Sequence, residues 1–199
     1  MKTKIVFLGA DGSGKSTLIS YTEKKSKSEG KRVKTVFMGW RDFRNPLIKL
    51  FSRRHMENKA RSKIKEEKLA RFRDRSWFFY LVYYSELWLR YLDVVFSKAD
   101  IVFIDRYFYD ELVFASRAKF NFFKIFTPKP NICFILKPEY KITKKRGIDV
   151  TEDNFNRFYE QLYRVGNLCK VYEINTSGSI EQSYKKIAEV IKNNLGRKQ

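Results

Sequence analysis

Residues 9–17 read GADGSGKST, directly behind the apolar run Ile5-Val6-Phe7-Leu8. Glycines at 9, 12 and 14 let a backbone wrap with its N–H groups turned inward, which makes a concavity for phosphate oxygens. The segment fits GxxxxGK[ST] at Gly9, Gly14, Lys15 and Ser16. In that pattern the lysine reaches the β- and γ-phosphates of a nucleoside triphosphate and the hydroxyl ligates Mg²⁺. Gly12, Ser13 and Thr17 complete the cradle, and a helix opening near Lys15 adds its positive N-terminal end. The chemistry expected here is a grip on ATP with Mg²⁺. The bland alternative is a glycine-rich connection with no ligand, and the position between an apolar strand and a helix speaks against it.

Asp105 stands directly after Ile101–Ile104, another apolar run. Proteins with this loop place the acid that holds or orients Mg²⁺ at such a strand end. Ser16 and Asp105 are therefore the expected metal site. Asp11, inside the loop, is expected either to contact the acceptor or a metal-bound water, or to be a turn acid bonded to its own backbone.

The elements that must position these groups alternate. Lys4–Leu8, Val33–Met38, Ile101–Ile104, Ile132–Leu136 and Val171–Ile174 read as strands. Helices are expected from Leu18 to near Gly30, over 76–97, 153–166 and 180–195. Strands that are apolar on both faces and separated by helices imply a parallel sheet covered on two sides. Ligands of such sheets bind beyond the C-terminal strand ends, where both GADGSGKST and Asp105-Arg106 lie. Residues 107–127 read as helix passing into an aromatic loop, Phe120–Phe126, closed by Pro128 and Pro130. That loop is expected at a subunit interface, at a membrane surface or over a sheet edge. Residues 41–75 are strongly basic and read as an exposed helix.

The chain has 199 residues with 43% apolar and 32% charged content, which suits one folded domain over 1–199. Cys133 and Cys169 have no metal-ligand spacing, and the single histidine, His55, reads as a solvated surface residue. The expected compartment is the cytoplasm. Residues 77–96 are long enough to span a bilayer, but Glu86, Arg90 and Asp93 interrupt them. A buried or half-buried helix is the better reading. Within it Trp77, Phe78, Tyr80, Tyr84 and Trp88 recur at helical spacing, the pattern of a core face. The net charge of +20 invites a polyanionic partner or is a solvated surface. No sequence motif for specific nucleic-acid binding accompanies it.

Three stretches together resemble the thymidylate kinase family of P-loop nucleoside monophosphate kinases. The loop reads GxDGxGKST with Asp11 at its third position, Ile104-Asp105-Arg106-Tyr107 is similar to the second signature, and Lys144-Lys145-Arg146-Gly147 with Phe155–Val165 looks like a basic lid and the helix behind it. The resemblance implies a three-layer α/β/α P-loop NTPase fold with a five-stranded parallel sheet, a basic lid over about 140–153, ATP and Mg²⁺ as cofactors, and often a homodimer. It assigns catalysis to Lys15, Asp105 and Arg146, and the acceptor to Asp11, Arg106 and Tyr107, with Arg41 as the one arginine after strand two.

The acceptor half departs from the family. Gly39-Trp40-Arg41-Asp42 stands where Arg-Glu-Pro is usual, and Val82-Tyr83-Tyr84 where the long helix carries Ala-Asp-Arg. Arg90 lies further along that helix and Arg73 and Arg75 precede it. Phe108-Tyr109-Asp110-Glu111 and Asp149-Val150-Thr151-Glu152 replace two further motifs. The expected activity is phosphoryl transfer from ATP to a small phosphorylated acceptor, a nucleoside monophosphate such as dTMP first. A sugar phosphate or saccharide acceptor is the alternative within the same chemistry, and a non-catalytic basic P-loop protein, gripping nucleic acid or an anionic membrane, is the alternative outside it.

Overall fold

The computed structural model describes residues 2–39, 44–48, 77–148 and 150–196. The basic stretch 49–76 with His55, residues 40–43 with Arg41, and Asp149 lie outside the described residues. Five strands, β1 (Thr3–Leu8), β2 (Val33–Phe37), β3 (Ile101–Asp105), β4 (Ile132–Lys137) and β5 (Val171–Asn175), form one sheet in the order β2-β3-β1-β4-β5. Every pairing is parallel.

The three inner strands show why sequence and topology agree. β3 is buried at all five positions, β4 at five of six and β1 at five of six. Strands buried on both faces must be apolar at successive positions rather than at alternate ones. The edge strands are wetter than the sequence suggests: β2 buries only Val36 and β5 only Ile174.

Side-chain alternation divides the core into two layers. Ile5, Phe7, Phe103 and Phe134 point to one face, where they meet Leu18 and Ile19 of α1 (Lys15–Ser28) and Ile187 and Ile191 of the helix that closes the chain. Val6, Leu8, Ile104 and Ile135 point to the other, toward α2 (Trp77–Val95), α3 (Phe108–Leu112) and the helix over Glu152–Tyr163. Between these lie α4 (Arg117–Phe123) and α5 (Tyr140–Lys145). In chain order the last two helices are α6 (Glu152–Tyr163) and α7 (Ile180–Gly196).

The aromatic stretch 120–126 is not a loop. It completes α4 and then makes a 3-10 turn over Lys124–Phe126. Phe123 is the reason: its ring sits 4.5 Å from Tyr84 and 4.7 Å from Tyr80, so the segment docks on α2 rather than along a sheet edge. Of the aromatics expected to form a core face, Tyr80 and Tyr84 are buried, whereas Trp77, Phe78 and Trp88 stay partly exposed. The helix is thus half-buried, and no helix among the described residues is long and apolar enough to cross a membrane.

A charged pair lies inside this layer. Glu86 and Arg90, 0% and 4% exposed, are bonded at 2.7 Å (Arg90 Nε to Glu86 Oε1). Glu86 also accepts the backbone N–H groups of Arg44 and Asn45 at 3.0 and 2.6 Å, and Arg90 donates to the Gly39 carbonyl at 2.7 Å. Both charges serve to fasten the chain after β2 onto α2. Arg90 is thus buried in this latch. Breaking one partner of a buried pair leaves an uncompensated charge and costs about 3–5 kcal/mol. Glu86→Ala is accordingly expected to lower stability by that amount in chemical denaturation, and an unchanged midpoint would refute the latch.

Candidate functional site

The loop between β1 and α1 is shaped by its glycines. Gly9 has φ +147°, and a Cβ there would lie 2.6 Å from the Leu136 carbonyl oxygen. Gly12 has φ +73°, and its Cβ would lie 2.6 Å from Cγ1 of Ile148. Both positions thus combine a backbone conformation that L side chains rarely adopt with no room for a side chain. Ser13 N–H closes the turn onto the Ala10 carbonyl at 3.2 Å, and Gly14 caps α1.

Lys15 folds back over this loop. Its ammonium donates to the carbonyls of Gly9 at 2.8 Å and Ala10 at 2.7 Å, and to Ser13 Oγ at 3.4 Å. Burial, and then the neighbouring Arg106 guanidinium, lower its pKa, while Asp110, Asp105 and Asp11 pull the other way. A buried ammonium bonded to neutral carbonyls beside another cation is an incompletely compensated charge. It is suited to anionic oxygens.

The Ser16 hydroxyl donates to Asp105 Oδ2 at 3.0 Å. This contact joins the start of α1 to the end of β3, and the β1–β3 register (Phe7 beside Asp105) produces it. Asp105 is 6% exposed, and its Oδ1 is buried with no hydrogen-bond partner. A hydroxyl and a carboxylate whose second oxygen is buried and unsatisfied are hard donors of the kind Mg²⁺ takes. The residues present therefore fit the metal expected of them.

Arg106 follows in a left-handed backbone conformation, φ +66°, which is uncommon outside glycine. Its N–H donates to the Phe7 carbonyl at 3.1 Å, and its guanidinium donates to Asp11 Oδ1. Burial opposes its charge, but Asp110, Asp11, Asp105 and Glu111 outweigh burial and hold its pKa above the usual value. Asp11 is therefore an ion-pair partner of Arg106 across the mouth of the loop, not a turn acid bonded to itself.

Arg146, at the end of α5, donates to the Gly12 carbonyl at 2.7 Å and the Thr176 carbonyl at 3.2 Å. The segment expected to be a lid thus rests on the loop, with Ile148 against Gly12. Thr17 lies exposed in the first turn of α1. Tyr107 goes elsewhere: it is 1% exposed, and its hydroxyl donates to the Pro128 carbonyl at 2.8 Å. The structure brings Lys15, Ser16, Asp11, Asp105, Arg106 and Arg146 around one loop and turns Tyr107 into the core. Arg41 lies outside the described residues.

Three supporting residues escaped sequence reasoning. The Tyr159 hydroxyl donates to the Leu136 carbonyl at 2.8 Å and accepts the Ala10 N–H at 3.3 Å. Thr176 Oγ1 donates to the Ser13 carbonyl at 2.8 Å. Asp110 accepts the Tyr107 N–H at 2.9 Å from within the charged cluster. Burial pushes the Asp110 carboxyl up to about 6, against the pull of Arg106, the Tyr107 N–H and Lys15. The replaced motif at 108–111 was the one sequence signal that pointed toward it.

No protein-family model matches the chain, and no curated protein matches it by sequence. Solved structures do match. A thymidylate kinase from Candida albicans superimposes with a TM-score of 0.57 at 14% identity, covering 98% of this chain and 92% of that one. A thymidylate kinase from Ehrlichia chaffeensis gives 0.58 at 17% identity, covering 96% of this chain and 98% of that one. A deoxyadenosine kinase from M. mycoides, solved with dCMP and dCDP, gives 0.55 at 16% identity, with coverage of 96% and 100%. The chain therefore shares the three-layer α/β/α fold of these kinases.

The loop depends on its braces. Tyr159→Phe leaves the Ala10 N–H and the Leu136 carbonyl without this partner, at about 1–3 kcal/mol if neither finds another. Lower stability in denaturation and faster hydrogen exchange at the Ala10 amide are expected; wild-type exchange at that amide would show the hydroxyl to be dispensable.

Proposed function

We propose that the chain is an ATP- and Mg²⁺-dependent kinase that phosphorylates a small acceptor of the nucleoside or nucleotide class. The observation that carries this reading is the Ser16–Asp105 contact beside Lys15 at the mouth of the glycine loop. The fold shared with two thymidylate kinases and a deoxyadenosine kinase supports it.

In this reading the loop N–H groups bind the triphosphate, and Lys15 exchanges the Gly9 and Ala10 carbonyls for phosphate oxygens. Ser16 and Asp105 would hold Mg²⁺, which would supply positive charge against the triphosphate. Arg146 lies within reach of the loop and would supply a planar fork to the transferring phosphoryl group. Its closure over the loop also excludes water, which suppresses hydrolysis. Arg106, held by Asp11, faces the acceptor side, where Arg41 would add a second arginine for an acceptor that carries phosphate. A monoester such as dTMP and a nucleoside hydroxyl are the two acceptor classes this reading admits. A second copy of the chain would cover the apolar residues that α2 leaves exposed, among them Leu81, Leu89 and Leu92.

Calorimetry is expected to detect magnesium-dependent binding of ATP to the folded chain. Lys15→Ala is expected to abolish ADP release while leaving the circular dichroism spectrum and thermal midpoint unchanged. Turnover at the wild-type rate in that variant would remove Lys15 from the reaction, and a folded chain that binds no MgATP would end the kinase reading altogether.

A further inference from the structure

Near Lys15 and Arg106 lies a carboxylate to which the reading above gives no role. Asp110 opens α3, five residues beyond Asp105, and is 8% exposed. One oxygen, Oδ2, accepts the Tyr107 N–H and closes the first turn of the helix. The other, Oδ1, is buried with no hydrogen-bond partner. Its electrostatic neighbours are Arg106, Lys15 and Glu111.

A helix cap accounts for one of these oxygens. It gives no reason to bury the second, since an unmade hydrogen bond on a buried polar atom costs about 1–3 kcal/mol. Costs of this kind persist where a ligand later satisfies the group. The left-handed turn at Arg106 directly precedes the helix that carries Asp110, at the same C-terminal end of β3 as the Ser16–Asp105 contact.

We propose that Asp110 takes the proton of the acceptor, and that the acceptor atom is a neutral hydroxyl, as in a nucleoside, sugar or polyol, rather than an oxygen of a phosphate monoester. The inference rests on the kinase reading above and names its acceptor class. The two classes differ in one proton. A monoester oxygen is already anionic near neutral pH and attacks without a base. A hydroxyl must lose its proton as it attacks. In the step proposed, the hydroxyl oxygen forms a bond to the γ-phosphorus. The bond from that phosphorus to the bridging oxygen breaks, and its electron pair leaves with ADP. The hydroxyl proton passes to Asp110 Oδ1 and then to water. Burial, which raises the proton affinity of Asp110 into the range of a working base, suits the carboxylate to this role.

Asp110→Asn separates the cap from the base, because the amide oxygen still accepts the Tyr107 N–H but takes no proton. The experiment compares wild type and this variant for MgATP affinity by calorimetry. It then follows ADP release with deoxynucleosides, hexoses and glycerol on one side, and with dNMPs, NMPs and hexose phosphates attacked at phosphate on the other. Phosphorus NMR reads whether the product is a monoester or a pyrophosphate anhydride. The expected result is a monoester product, with kcat reduced about 100-fold or more in Asp110→Asn and MgATP affinity unchanged. Should no panel member accept, water is the hydroxyl probe, and magnesium-dependent ATP hydrolysis should fall by the same factor. An anhydride product alone, or undiminished turnover or hydrolysis in Asp110→Asn, overturns the inference and leaves the kinase reading standing. Wild-type protein that binds no MgATP defeats the kinase reading first.

Discussion

Lys15 and Arg106, two cations, are held close together in a largely buried place, and the fold tolerates this because Asp11, Asp105 and Asp110 are gathered around them. Removing charge from water is expensive, and compensation inside a protein requires well-placed opposite charge. The parallel sheet provides the placement. Its central strands end together, so the loop after β1 and the acids after β3 meet by register. The edge strands can be wet because they position none of these groups.

The mixture of signs also sets what the site can accept. Lys15 spends its bonds on neutral carbonyls, and Asp105 and Asp110 each retain an unsatisfied buried oxygen. Lys15 calls for anionic oxygen, Asp105 for a cation and Asp110 for a proton donor. A polyphosphate, a divalent metal and a hydroxyl would answer those demands together. A surface that merely attracts polyanions through its net charge has no use for buried carboxylates, so the +20 balance is a weaker guide to function than this small cluster.

Much of this was legible in the residues. The five strands and the glycine loop are local signals: apolar runs, φ-permissive glycines and a lysine at fixed spacing. Asp105 could be placed because it ends a strand. Other features depend on distance in sequence. Tyr159 reaches Ala10 across 149 positions, and nothing near either residue announces it. Tyr107 has a type that suits ligands, yet its ring is buried against α2, which no local signal announces. The segment 120–126 reads as an aromatic loop, but docking Phe123 between Tyr80 and Tyr84 makes helix the better conformation, while Phe122, Ile125 and Phe126 stay exposed. Asp110 stands in a motif that differs from the family pattern, and its burial with one unpartnered oxygen is visible only in the fold.

The contact of Arg146 and Ile148 with Gly12 has a consequence for sequence tolerance. Any side chain at position 12 would press on Ile148 and pry the arm beyond β4 off the glycine loop, so the arm and that glycine are constrained as one unit.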